Sequence, residues 1–183
     1  MRGSVLPHLI IINGLVWLAG LRFPGLPYIL AVHKYGWGWE WWQLLTYFFT
    51  HKSFWHILAN MVALWSLGTS VEAVLGSSRF LKLYFFTGLG SGFLLAFLDP
   101  SPIPVLGAST SVSGVLSAFA YFFPRSRVVL LPIPIPISAR MMAIGFGVIS
   151  LILFIWEPVM GGISHFGHLC GLLLGWVYVR WLR

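Results

Sequence analysis

Apolar residues fall into six blocks along the chain, separated by short stretches where glycine, proline, tryptophan and charge gather. The blocks predict helices over about residues 5–21, 55–71, 80–98, 109–123, 140–156 and 163–181, here spans 1 to 6. About 20 helical residues cross a bilayer, and most of the blocks approach that length. Span 4 falls short. Some 15 residues reach only about 22 Å, so its first turn has to begin inside the membrane, after a loop that dips in. Irregular backbone at that depth survives only where it lines a water-filled or protein-lined cavity. The pattern therefore predicts an outward-facing wet pocket with Ser109 at its floor.

The connecting stretches carry their own signals. Residues 22–43 hold Trp37, Trp39, Trp41 and Trp42, rings that favour the membrane–water boundary. Residues 72–79 turn around Gly76. Residues 99–106 contain three prolines and are not helical. Residues 124–139 end in alternating Ile-Pro, an extended surface segment. The last loop centres on Pro158 and Gly161-Gly162.

Composition agrees with the pattern. Of 183 residues, 58% are hydrophobic and 8% charged, against roughly a quarter charged in soluble domains. The expectation is an all-α, polytopic membrane protein: one domain over residues 1–183, core about 43–181, a six-span bundle with no room for a separate soluble domain. The net charge of +7 sits in loops and span ends and does not indicate nucleic acid. The single cysteine, Cys170, excludes an intrachain disulfide and a cysteine-rich metal site. Residues 5–21 lack a small-x-small cleavage site, so they read as a retained helix. With the N-terminus inside, Arg2, Arg79, Lys82, Arg125, Arg127, Arg140, Arg180 and Arg183 face inward and Arg22, Lys34 and Lys52 outward. That asymmetry places both termini in the cytoplasm, in a bacterial or archaeal plasma membrane.

Spans 2, 4 and 6 run in the same direction, and each carries polar groups near its outer end. At about 1.5 Å per residue, Ser109 and His56 lie roughly 24 Å above the inner surface and His168 roughly 18–22 Å. His56 and Asn60 are four apart and share a helix face. In span 6, Gly167, Gly171 and Gly175 form a stripe that Ser109, Ser113 and Ser117 match in span 4, which predicts close helix approach. A serine hydroxyl needs a base to become a nucleophile. His168 is the candidate base for Ser109, with no carboxylate at its depth, hence a dyad. His56, Asn60 and the Ser109 N–H are candidate donors for an oxyanion. His165 reads as a hydrated loop residue at the pocket mouth, and His8, His33 and His51 as interfacial. His51 and His56, without an acid beside them, make a weak metal pair, so no metal or other cofactor is expected.

These residues resemble the rhomboid family of intramembrane serine proteases from about Gln43 to Gly175. The family's H-x-x-x-N with a distal glutamate matches His56, Asn60 and Glu72. Its G-x-S-G matches Gly107, Ala108 and Ser109. Its H-x-x-G-x-x-x-G matches His168, Gly171 and Gly175. The resemblance implies Ser109 as nucleophile, His168 as base, His56 and Asn60 as oxyanion groups, and single-span membrane proteins as substrates. Three positions depart. Thr110 replaces a glycine and should crowd the turn after the nucleophile. Trp42-Gln43 replaces a Trp-Arg pair and should weaken the anchoring of loop 1. Ser113 stands where an aromatic often packs on the catalytic histidine. The competing readings are a catalytically inactive relative that binds membrane clients, and a small transporter or channel. The apolar inner half of spans 2, 4 and 6 argues against the transporter.

Overall fold

The structure is a computed structural model that describes residues 3–130, 133–156, 159–160 and 163–182. Arg2 and Arg183 of the charge count, Glu157, and Pro158, Gly161 and Gly162 of the last loop lie outside the described residues.

Among the described residues eight helices and two short hairpins follow one another: α1 (Leu6–Arg22), α2 (Leu26–Leu30), α3 (Gln43–Thr46) running into a 3₁₀ turn (Tyr47–Phe49), α4 (Phe54–Leu75), α5 (Ser77–Leu98), α6 (Ser109–Phe122), β1 (Arg127–Leu130), β2 (Ile133–Ser138), α7 (Ala139–Trp156), β3 (Val159–Met160), β4 (Ile163–Ser164) and α8 (His165–Trp181). The chain is a polytopic helical membrane protein. Among the described residues α4, α5 and α7 are long and apolar enough to cross a bilayer, while α1, at 17 residues, is a shorter apolar helix. α6 is the shortest of the long helices, at 14 residues. The alternating Ile-Pro segment is extended, as β2 paired antiparallel with β1.

α6 stands at the centre, packed on α4, α5, α7 and α8, and its seam with α8 is the most extensive in the molecule. Glycine makes that seam possible. A Cβ at Gly171 would lie 2.1 Å from the Thr110 carbonyl oxygen, and one at Gly175 would lie 2.4 Å from that of Gly114. The α6 side of the seam is thus Thr110, Ser113 and Gly114, not the Ser109-Ser113-Ser117 row. A four-residue repeat predicts a stripe but leaves its phase open, and the phase found here turns Ser109 to the edge of the seam. Of α4, α5 and α7, α7 is the least embedded. Only 17% of its apolar window is buried, against 39% in α4 and 44% in α5, so most of its surface is left to lipid.

Three loop expectations are corrected. The turn expected over residues 72–79 is the single residue Gly76, at φ 75°, because Glu72 is buried and belongs to α4. Its carboxylate accepts the Ser4 hydroxyl at 2.6 Å and the Val5 N–H at 2.8 Å, fastening the start of α1. Gln43 does not weaken the first loop: it holds it. Its Oε1 accepts from the N–H groups of His33 and Glu40, and its Nε2 donates to the Gly38 carbonyl. His33 is buried, its ring nitrogen 2.9 Å from the Tyr28 carbonyl. Trp37 and Trp41 remain exposed, as boundary residues do.

Candidate active site

The segment leading into α6 descends between two other parts of the chain and has its polar backbone met on the way. Val105 exchanges both backbone bonds with Val32. The Gly107 N–H donates to the Tyr47 carbonyl at 2.9 Å. The Ala108 N–H donates to His51 Nε2 at 3.3 Å. Without these partners, backbone at this depth would cost several kcal/mol per orphaned group. Gly107 sits at φ 125°, and a Cβ there would meet His56 Nε2 at 2.7 Å, with Ser109 Oγ 3.8 Å away. Glycine is required for both the backbone angle and the close approach of the imidazole.

Ser109 follows as the first residue of α6, in the turn whose N–H groups have no carbonyl of their own helix to meet. One cavity of about 450 Å³ is lined by Ser109, His168, His56 and Asn60 together. All four candidate side chains therefore share one concave site. It is bounded by α4, α6, α7 and the start of α8. His168 is buried and its Nδ1 has no hydrogen-bond partner among the described residues. No hydrogen bond joins Ser109 to His168 in this structure, and the Ser109 carbonyl accepts the Ser113 hydroxyl at 2.7 Å. Asn60 Nδ2 donates to the His56 carbonyl one turn back, at 2.9 Å. That bond lies within α4, so Asn60 is not tying two helices together.

Thr110, expected to crowd the turn, is accommodated. Tyr47 donates its hydroxyl hydrogen to the Gly88 carbonyl at 2.7 Å, so the 2.9 Å contact between the two hydroxyls has Thr110 donating. The Thr110 methyl faces Gly167, where a Cβ would come within 3.1 Å. The extra volume of threonine is offset by the missing side chain opposite.

An aromatic ring does lie on His168, but from another helix. Phe146 of α7 packs on the imidazole with ring centroids 5.1 Å apart and planes inclined by 39°. Sequence reasoning had no signal for this, since nothing in α7 marks one of its apolar residues as the one facing a histidine. His51 and His165, expected at the interface and in a hydrated loop, are both buried. His51 packs edge-on against His56 at 5.0 Å and His165 lies 6.0 Å from His168. The spacing of His51 five residues before His56, at the polar start of α4, was the one available hint of its role.

The comparisons with known proteins agree with this architecture. A family model described as the Rhomboid domain matches residues 38–183. Rhomboid protein 1, mitochondrial, of Saccharomyces cerevisiae is 35% identical over 140 residues, which cover 71% of this chain and 38% of that protein. Rhomboid protease GluP of Bacillus subtilis is 35% identical over 136 residues, covering 74% of this chain and 25% of its own. The human presenilin-associated rhomboid-like protein, mitochondrial, is 30% identical over 141 residues, covering 73% and 36%. The chain thus spans between about a quarter and two fifths of the length of these curated relatives. They are mitochondrial as well as bacterial, so they do not single out the bacterial or archaeal plasma membrane. The matched region takes in every helix that brings a polar side chain to the cavity, and the chain belongs to the rhomboid family.

Proposed function

We propose that the chain is an intramembrane serine endopeptidase that cleaves single-span membrane proteins at or near the bilayer. The observation that carries the reading is the gathering of Ser109, His168, His56 and Asn60 around one cavity from three different helices. In the proposed reaction the Ser109 hydroxyl attacks the scissile carbonyl as the His168 imidazole takes its proton. The imidazolium returns that proton to the leaving amine. The Ser109 N–H and the side chains of His56 and Asn60 receive the negative charge that builds on the carbonyl oxygen, and one such donor is typically worth about 10²–10³ in rate. No cofactor takes part. The six long helices are the spans of this reading, with both termini on the cytoplasmic side. The cavity continues along α7 past Met141, Met142, Gly145 and Ile149, an apolar wall suited to a transmembrane segment.

The test is cleavage of a reconstituted single-span substrate, paired with labelling by a fluorophosphonate probe. Wild type should cleave and label, Ser109→Ala should do neither, and His168→Ala should stay folded but inactive. Wild-type protein that neither cleaves nor labels points instead to a non-catalytic relative that binds membrane clients.

A further inference from the structure

At the far end of α6 from Ser109, a second cavity of about 510 Å³ opens where α6, the β1–β2 hairpin and α7 meet. Its lining includes Arg125, Arg127, Arg140, Ser138, Pro124 and Pro136. Backbone bonds fix the base of the hairpin. Ala139 N–H donates to the Ser126 carbonyl at 2.8 Å, Arg140 N–H to that of Pro124 at 3.2 Å, and Met141 N–H to the Ser138 hydroxyl at 3.3 Å. The first N–H groups of α7 are therefore occupied, and what the cavity offers is its side chains. Three exposed arginines line it and no carboxylate does, and none of the three is in an ion pair among the described residues. Like charges held together repel, and the planar donor fork of arginine suits phosphate oxygens.

The neighbouring hairpin says where that phosphate comes from. Val129 is 50% exposed and Ile135 63% exposed, an apolar ribbon beside a cationic cleft. A water-facing loop gains nothing from such residues, whereas a ribbon lying at the edge of the hydrocarbon places them among acyl chains. We propose that this arginine cleft binds the phosphate headgroup of an anionic phospholipid, with the hairpin seated against its chains. Met141 lines both this cleft and the Ser109 cavity, so the bound headgroup adjoins the helix that walls the active site. The inference does not depend on the proteolytic reading.

Native mass spectrometry of the purified protein in neutral detergent tests it. The protein is titrated with phosphatidylglycerol, with phosphatidylcholine of the same chains, and separately with inorganic phosphate. Phosphatidylglycerol should be retained in preference to phosphatidylcholine. Near an anionic surface each arginine is worth about fivefold, so Arg125→Gln/Arg127→Gln/Arg140→Gln should weaken retention on the order of 100-fold. The triple lysine variant should keep part of it, and Arg22→Gln, at the far end of α1, should keep it all. Equal retention of the two lipids overturns the proposal, as does unchanged retention by the triple glutamine variant. Displacement of the lipid by equimolar inorganic phosphate overturns it too. If the triple glutamine variant fails to fold, the comparison of lipids on wild type decides alone.

Discussion

Replacing Gly171 by alanine adds one carbon where α8 has no room for it. The new Cβ would stand 2.1 Å from the Thr110 carbonyl oxygen and 2.9 Å from Ser113 Cβ, while ordinary contact begins at 3.4 Å. The nearer obstacle is helix backbone, which cannot swing aside as a side-chain tip can. α6 and α8 must therefore part by about 1 Å, and that parting separates Ser109 on one helix from His168 on the other. A misplacement of about 1 Å can cost on the order of 10²-fold in rate, and forcing a methyl into a filled seam costs about 1–3 kcal/mol of stability. The assay is turnover of a reconstituted substrate, with thermal unfolding followed in the same detergent. Gly14→Ala on α1, where a Cβ would meet nothing within 4 Å, is the control and should leave both readings unchanged. A Gly171→Ala protein with wild-type turnover and wild-type melting would show that the seam does not position the pair.

Other consequences are open to measurement. Asn60→Ala should lower kcat by about 10²–10³ with little change in KM, and an equal loss in binding would make Asn60 a packing residue. Tyr47→Phe strands the Thr110 hydroxyl and takes from the Gly88 carbonyl the bond it accepts beyond its own helix, at about 1–3 kcal/mol for a buried polar group left unmet. Thr110→Val removes only the donor and should melt higher than Tyr47→Phe; the reverse order would refute the hydrogen-bond direction given above. Burial raises the pKa of Asp99, against the opposing pull of Ser101, Ser164 and Lys34. A raised folded pKa means that Asp99 favours folding at low pH and that this contribution is lost as pH rises through the folded value. Asp99→Asn should therefore melt above wild type at neutral pH and converge with it as pH falls toward about 4; a constant gap across that range would exclude the carboxyl as the cause.

The six long helices were legible because each is a largely apolar block, while α2 and α3 sit in and beside a stretch that reads as loop. The extended Ile-Pro segment followed from proline chemistry, though its pairing with Arg127–Leu130 did not. The expectation that Ser109, His56 and His168 share one site came from counting residues to the charge at the inner end of each span, a count that needs no tertiary information, and the three do line one cavity. What failed was whatever depends on contacts between parts of the chain far apart in sequence. Gln43 and His33 look like surface residues of a tryptophan-rich loop, and His51 like an interfacial residue just before α4, yet each is folded inward and hydrogen-bonded to backbone. Glu72 reads as a loop charge in the sequence because carboxylates rarely sit inside spans, and the Ser4 and Val5 groups that permit its burial are more than 65 residues away. The partner of Thr110 was equally invisible: whether the residue opposite is Gly167 depends on helix phase, which periodicity leaves undetermined.

The ring of Phe146 over His168 joins two things that need not have been joined. Had that cover come from the serine's own helix, it would stay with the imidazole however the outer wall moved. Here it rides on α7, a span largely open to lipid, so an outward swing of that wall would strip the imidazole of its aromatic neighbour. If the chamber opened on that side, uncovering His168 would be the same mechanical event.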